Sequence, residues 1–242
     1  IKKQESFFKD QKHGIQEEFY SSGSLFLKST YYKGSLNGIS KGFWNNGNKQ
    51  FIEYFEKGLL KKGTYFEKEG KETSSVENFK GIQTHFLDNN ILEQRYIKQG
   101  LQEGFIRLYN HNKLTQEYFV KEGKKNGTET LFYNPQQPKL MIEWYQDQIQ
   151  GAIKTWYPNG QIQTSRQISQ NKKHGINTSW YSNGNLMLAE HYEMNVLTKG
   201  QYYSINQRLV SEIKQGSGKA SLFSEEGQLI QKIIYEDGYP IE

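Results

Sequence analysis

Residues 174–192 read HGINTSWYSNGNLMLAEHY. Gly175 opens the stretch, an aromatic pair stands at Trp180 and Tyr181, and Ser182-Asn183-Gly184 follows as a turn. The second arm runs from Leu186 and ends on an aromatic, Tyr192. Both arms are short, partly alternating and rich in β-branched or aromatic residues, as strands bounded by turns are. Glycine and asparagine tolerate the positive φ that a tight hairpin needs. The stretch therefore predicts strand, turn, strand.

The same frame recurs along the chain. The first aromatic of the pair returns at Phe19, Phe43, Phe66, Phe86, Tyr109, Phe132, Trp156, Trp180, Tyr203 and Phe223, at spacings of 20 to 24 residues. Five residues earlier stands Gly14, Gly38, Gly81, Gly104, Gly127, Gly151, Gly175 or Gly218. Four residues later stands Gly23, Gly47, Gly70, Gly160, Gly184 or Gly227, with Asn90 in that place in the fourth unit. A second aromatic closes most units, among them Tyr31, Phe55, Tyr96 and Tyr235. No stretch carries a helical stripe, and the four prolines sit at turns or the end. A short period of this kind marks a repeat array. The expected fold is all-β: an elongated single-sheet antiparallel meander of about ten β-hairpin repeats over residues 14–238, with a lead-in at 1–13 and a tail at 239–242. Two spacings are only 20 residues, where Phe79-Lys80-Gly81 and Gly216-Ser217-Gly218 shorten the connection. An old block duplication and a bend in the sheet both account for them.

Composition narrows the function classes. The 242 residues hold no cysteine, which excludes a disulfide scaffold, a thiol nucleophile and a cysteine zinc site. Mean hydropathy is −0.87, and no run approaches the roughly 20 apolar residues of a membrane helix. With 17 Tyr, 14 Phe and 4 Trp the chain is too aromatic for a disordered one. Net charge is +5, and Lys far outnumbers Arg, the residue that phosphate forks favour, so no nucleic acid partner is expected. The five His and scarce Asp show neither a metal-ligand spacing nor a catalytic pair. Gln215-Gly-Ser-Gly-Lys-Ala220 looks like part of a phosphate loop, but the required Ser or Thr after the Lys is missing and no helix follows. No enzyme, cofactor or metal is expected. Ile1 in first position leads to the expectation of residues upstream. Two locations stay open: a bacterial cytoplasm and, if a leader was removed, the envelope.

Four stretches, HGIQEEFYSSGSL (His13 to Leu25), NGISKGFWNNGNK (Asn37 to Lys49), GAIKTWYPNGQI (Gly151 to Ile162) and HGINTSWYSNGNL (His174 to Leu186), resemble the MORN-repeat family. The resemblance is closest to the bacterial MORN variant of antitoxin-like proteins. It implies a non-enzymatic protein-binding scaffold, or an antitoxin- or immunity-like module. The alternative it leaves open is a peripheral module on an anionic phospholipid surface.

Two sets of residues are candidates for these contacts. If the recurring aromatics, Trp156 and Trp180 included, form a packed ladder, the residue after each faces the other way, because side chains alternate along a strand. Tyr20, Trp44, Tyr133, Tyr157 and Tyr181 then make a half-exposed row for a protein partner. The connections carry Lys61, Lys62, Lys124, Lys125, Lys172 and Lys173 along one edge. That edge is either a solvated one or a contact for an anionic surface.

Overall fold

The computed structural model describes residues 2–88 and 91–241; Ile1, Asn90 and the end of the expected tail, Glu242, lie outside the described residues. Among the described residues there is no helix, and 23 antiparallel strands are assigned to the sheet. The meander of hairpin repeats read from the periodicity is what the structure shows.

The chain divides into two compact units, Ile1–Asn112 with Val120–Gly123, and Lys113–Phe119 with Lys124–Glu242. In the first, strand Lys2–Gln4 pairs with Gly14–Phe19, and the meander continues through Leu25–Tyr32, Ser35–Phe43, Lys49–Glu56, Leu59–Phe66, Glu72–Glu77, Lys80–Asp88 and Ile91–Lys98 to Leu101–Asn110. The second continues in the same way from Lys124–Asn134 to Tyr239–Ile241.

Two kinds of turn alternate. The connections are two-residue hairpins with positive φ at both central positions, as a type I′ turn requires: Lys33 at 47° with Gly34 at 82°, and Lys57 at 50° with Gly58 at 83°. Gln146-Asp147 and Gln170-Asn171 adopt the same geometry without glycine. The opposite hairpin ends, the tips, are wider. At Tyr181 the backbone N–H donates to the Asn185 carbonyl at 2.8 Å, and Gly184 N–H returns to the Tyr181 carbonyl at 2.9 Å. The strand register slips by one residue at the aromatic that precedes each such tip, for example between Ser179 and Trp180 and between Gly42 and Phe43. Such bulges bend a strand and increase its twist.

At three of the five aromatic pairs that slip reverses the expected faces. Trp44, Tyr157 and Tyr181, the second aromatics of their pairs, are 9%, 5% and 0% exposed. The ladder aromatics, Trp156 and Trp180 among them, are half-buried. Alternation holds only while the strand lasts. At Phe43, Trp156 and Trp180 the ladder aromatic is its last residue, and the next one already belongs to the turn that folds back over the packed side.

Each unit holds one apolar cluster. The first gathers Phe55, Leu60, Tyr65, Val76 and Ile97, and the second Tyr192, Leu197, Tyr202, Ile213 and Ala220. The first four members of each correspond at one constant offset, and so do Glu53 and Glu190, which accept the Tyr65 and Tyr202 hydroxyls at 2.8 Å. Both clusters sit beside a 20-residue spacing. There the ladder shortens to two pairs, Lys80↔Glu77 with Gly81↔Val76, and Ile213↔Gly218 with Lys214↔Ser217. Hydrogen bonds across the bend, Leu60 N–H to the Gly100 carbonyl at 3.1 Å and Leu197 N–H to the Gly238 carbonyl at 3.2 Å, are equivalent too. The short spacings are therefore bends, and the matching residues around them are what a duplicated block would leave.

Candidate binding face

The aromatic row expected to meet a partner is tied up internally. Each of its side chains reaches the backbone carbonyl of the next unit's ladder aromatic: Tyr20 to Phe43 at 2.8 Å, Trp44 to Phe66 at 3.2 Å, Tyr133 to Trp156 at 3.1 Å, Tyr157 to Trp180 at 2.9 Å and Tyr181 to Tyr203 at 2.8 Å. Burial alone pushes the Tyr20 hydroxyl pKa up and is the first cause for Tyr157 and Tyr181. These residues are clips between repeats. Tyr133, 41% exposed, is the one of the five that also presents its ring to solvent, with Lys139 over it at 5.5 Å.

Of the six lysines, four are engaged. Lys61 pairs with Glu56 at 2.5 Å, Lys62 with Glu77 at 3.2 Å and Lys125 with Glu129 at 2.8 Å, while Lys173 lies 4.6 Å from the centre of the Tyr192 ring. Lys124 and Lys172 are exposed. Exposed pairs such as Lys62–Glu77 contribute about 0–1 kcal/mol each, and all three pairs dilute the positive field of the edge.

A different row of side chains is open. Directly after the unit-opening glycine stand Ile15, Ile39, Ile82 and Phe105 in the first unit and Ile176, 61% exposed, in the second. They point away from the packed side because the next residue in the strand, Gln16, Ser40 or Asn177, is buried. In the first unit Ile39 pairs with Tyr54, and Tyr54 with Lys62, so the exposed Tyr54 ring widens the apolar strip. Ile176 is followed across the sheet by His191 and Lys199. The sequence carried a signal for this row, the dipeptide Gly-Ile at 14–15, 38–39, 81–82 and 175–176, which the aromatic frame obscured.

The packed side is partly polar. Ser29 and Ser40 hydroxyls meet at 2.8 Å, and Ser74 and Thr84 at 2.6 Å. Glu53 accepts from Tyr65 and from Gln83 Nε2 at 2.7 Å, and burial holds its carboxyl above the usual range. Glu129 accepts from Lys125, Gln116 and Trp144. Both carboxylates are engaged by side chains of the packed side itself. Among the described residues no three His, Asp or Glu side chains gather as a metal site would need.

His85 gives the packed side a pH response. Its buried Nε2 lacks a hydrogen-bond partner, and burial, helped by Arg95, pulls its pKa down to about 4. An unfolded chain binds that proton near pH 6.5. Between pH 6.5 and 4 the unfolded state therefore holds the extra proton, and His85's contribution to stability falls as the pH falls through that window. The expected result is a urea midpoint that drops from pH 7.5 to pH 5 by less in His85→Leu than in the parent chain. Equal drops would show that His85 does not couple to folding.

The family model described as MORN repeat variant matches the chain at residues 12–33, 149–167 and 173–194. Asn37 to Lys49 lies outside those segments, though its hairpin has the same register slip and the same clip. No curated protein matches the chain. MORN repeats are non-catalytic repeat modules that bind proteins or membranes.

Proposed function

We propose that the chain is a non-enzymatic scaffold that binds a protein on the open sheet face of the first unit, through Ile15, Ile39, Tyr54 and Ile82. One observation carries this reading: isoleucine recurs exposed at one frame position of a sheet whose other side is filled by its own core. Apolar side chains in a regular exposed row are a liability unless something covers them. The antitoxin- or immunity-like form, with a bacterial toxin as the partner, draws its support from the resemblance of the turn pattern. Binding of anionic phospholipid through the lysine edge is the weaker reading, because Lys61, Lys62 and Lys125 already hold carboxylates.

The test compares Ile15→Glu plus Ile39→Glu with Lys124→Glu plus Lys172→Glu. A partner is first captured by photo-crosslinkers placed at Ile39, identified, purified and titrated. The face variant is expected to weaken it roughly a hundredfold, as loss of central apolar anchors does. The lysine variant is expected to change it by less than about threefold at physiological salt. Flotation with phosphatidylserine vesicles that depends on Lys124 and Lys172, combined with partner binding indifferent to Ile39, would replace the scaffold by the membrane module.

A further inference from the structure

In the second unit the last tip curls back on an earlier strand. Gln163 Nε2 donates to Glu225 Oε1 at 2.8 Å across 62 residues of sequence. Beside that bond lies a cavity of about 390 Å³ lined by Tyr157, Trp180, Met187, Phe223, Glu225 and Glu226. Trp180, Met187 and Phe223 are half-buried, so their apolar surface faces the cavity without being used up by the core. The two carboxylates stand on the exposed rim. A bond from the Ser224 hydroxyl, followed by a backbone N–H, holds Glu226 below the usual carboxylate range, so it is charged at neutral pH.

The first unit has a related cavity at its own tips. Trp44 and Phe86 rings meet edge-on with centres 4.9 Å apart, and Glu67 and Glu69 line a cavity of about 570 Å³ together with Lys68 and His111. There a lysine offsets the carboxylates, whereas the cavity of the second unit has no cationic side chain in its lining.

Ring faces and carboxylates together attract a cation, and they repel the anionic head of a lipid. A guanidinium fits such a site better than an ammonium, because it stacks flat on a ring while its fork meets a carboxylate. We propose that the Trp180–Phe223 pocket takes an arginine side chain of a protein partner, which makes that partner basic where it meets the tips. The inference rests on the protein-binding reading and adds the chemistry of the partner.

The test titrates the ¹⁵N-labelled full chain with acetyl-Gly-Gly-Arg-Gly-Gly-amide and with the same peptide carrying citrulline, which keeps the shape and loses the charge. The arginine peptide is expected to shift the Trp180 indole and the amides of residues 223–226. It should bind roughly tenfold more tightly than the citrulline peptide, a difference that shrinks with added salt. Glu225→Gln plus Glu226→Gln should abolish the difference, and Phe223→Leu should weaken the arginine peptide while the rest of the spectrum stays in place. Equal affinity for both peptides, shifts elsewhere, or a preference that survives the glutamine changes would overturn the proposal. Ile39→Glu serves to separate the two readings. A silent arginine titration with an Ile39-dependent partner removes the pocket and keeps the scaffold; an arginine-specific pocket with an Ile39-indifferent partner does the reverse.

Discussion

Tyr181→Ala is expected to cost about 3–5 kcal/mol, the range for deleting a fully buried aromatic. The side chain is 0% exposed and its hydroxyl holds the Tyr203 carbonyl at 2.8 Å. The substitution therefore opens a cavity and releases a backbone acceptor in one step. Tyr181→Phe keeps the ring and loses only the bond, for about 0.5–1.5 kcal/mol. Trp180→Ala, one residue earlier and the larger truncation by volume, should cost less than Tyr181→Ala, because Trp180 is only half-buried. Urea unfolding gives the ordering. Hydrogen exchange at residues 176–203 shows whether the damage stays local, as an array of neighbour contacts allows. A larger loss for Trp180→Ala than for Tyr181→Ala would restore the ladder aromatics as the core.

Gly81→Ala and Gly218→Ala should each cost roughly 2–5 kcal/mol, from an unfavourable φ and from crowding together. Their φ values are 151° and 144°. An added Cβ would lie 2.2 Å from the Ser75 carbonyl oxygen at Gly81, and 2.4 Å from the Glu212 carbonyl oxygen at Gly218. Backbone cannot yield as a flexible side chain can. Gly47 separates the two effects: its φ is 86°, but a Cβ there meets nothing within 4 Å. Gly47→Ala should therefore show the conformational cost alone, about 1–2 kcal/mol. Thermal or urea unfolding that ranks Gly47→Ala equal to the other two would mean that the carbonyls of Ser75 and Glu212 do not crowd a side chain at the bends.

The hairpin frame was legible because its marks are local. Gly184 supplies the positive φ of its turn, at 88°, and the strand Gly175–Trp180 ends just before that turn. The faces were not legible. At Phe43, Trp156 and Trp180 a one-residue slip hands the packed side to the successor, and no periodicity rule announces where a strand stops alternating. Connections such as Gln146-Asp147 were hidden for another reason: they adopt turn geometry with a residue, Gln, that carries no turn signal. The Ser29–Ser40 and Glu53–Tyr65 pairs depend on register across strands, which a list of neighbours along the chain does not contain. The candidate residues were thus found at the right places in the frame; Trp44, Tyr157 and Tyr181 are buried where exposure was expected, while Tyr20 and Tyr133 keep part of their surface.

The clips also give the array a direction. Every donor, from Tyr20 to Tyr181, belongs to the earlier unit, and every acceptor is a carbonyl of the later one. Losing the later repeat leaves a hydroxyl or indole N–H without its protein partner, and losing the earlier one leaves a backbone carbonyl without its side-chain donor. The clips therefore have one polarity along the chain: in each clipped pair the side chain of one repeat is satisfied only once the repeat after it has folded.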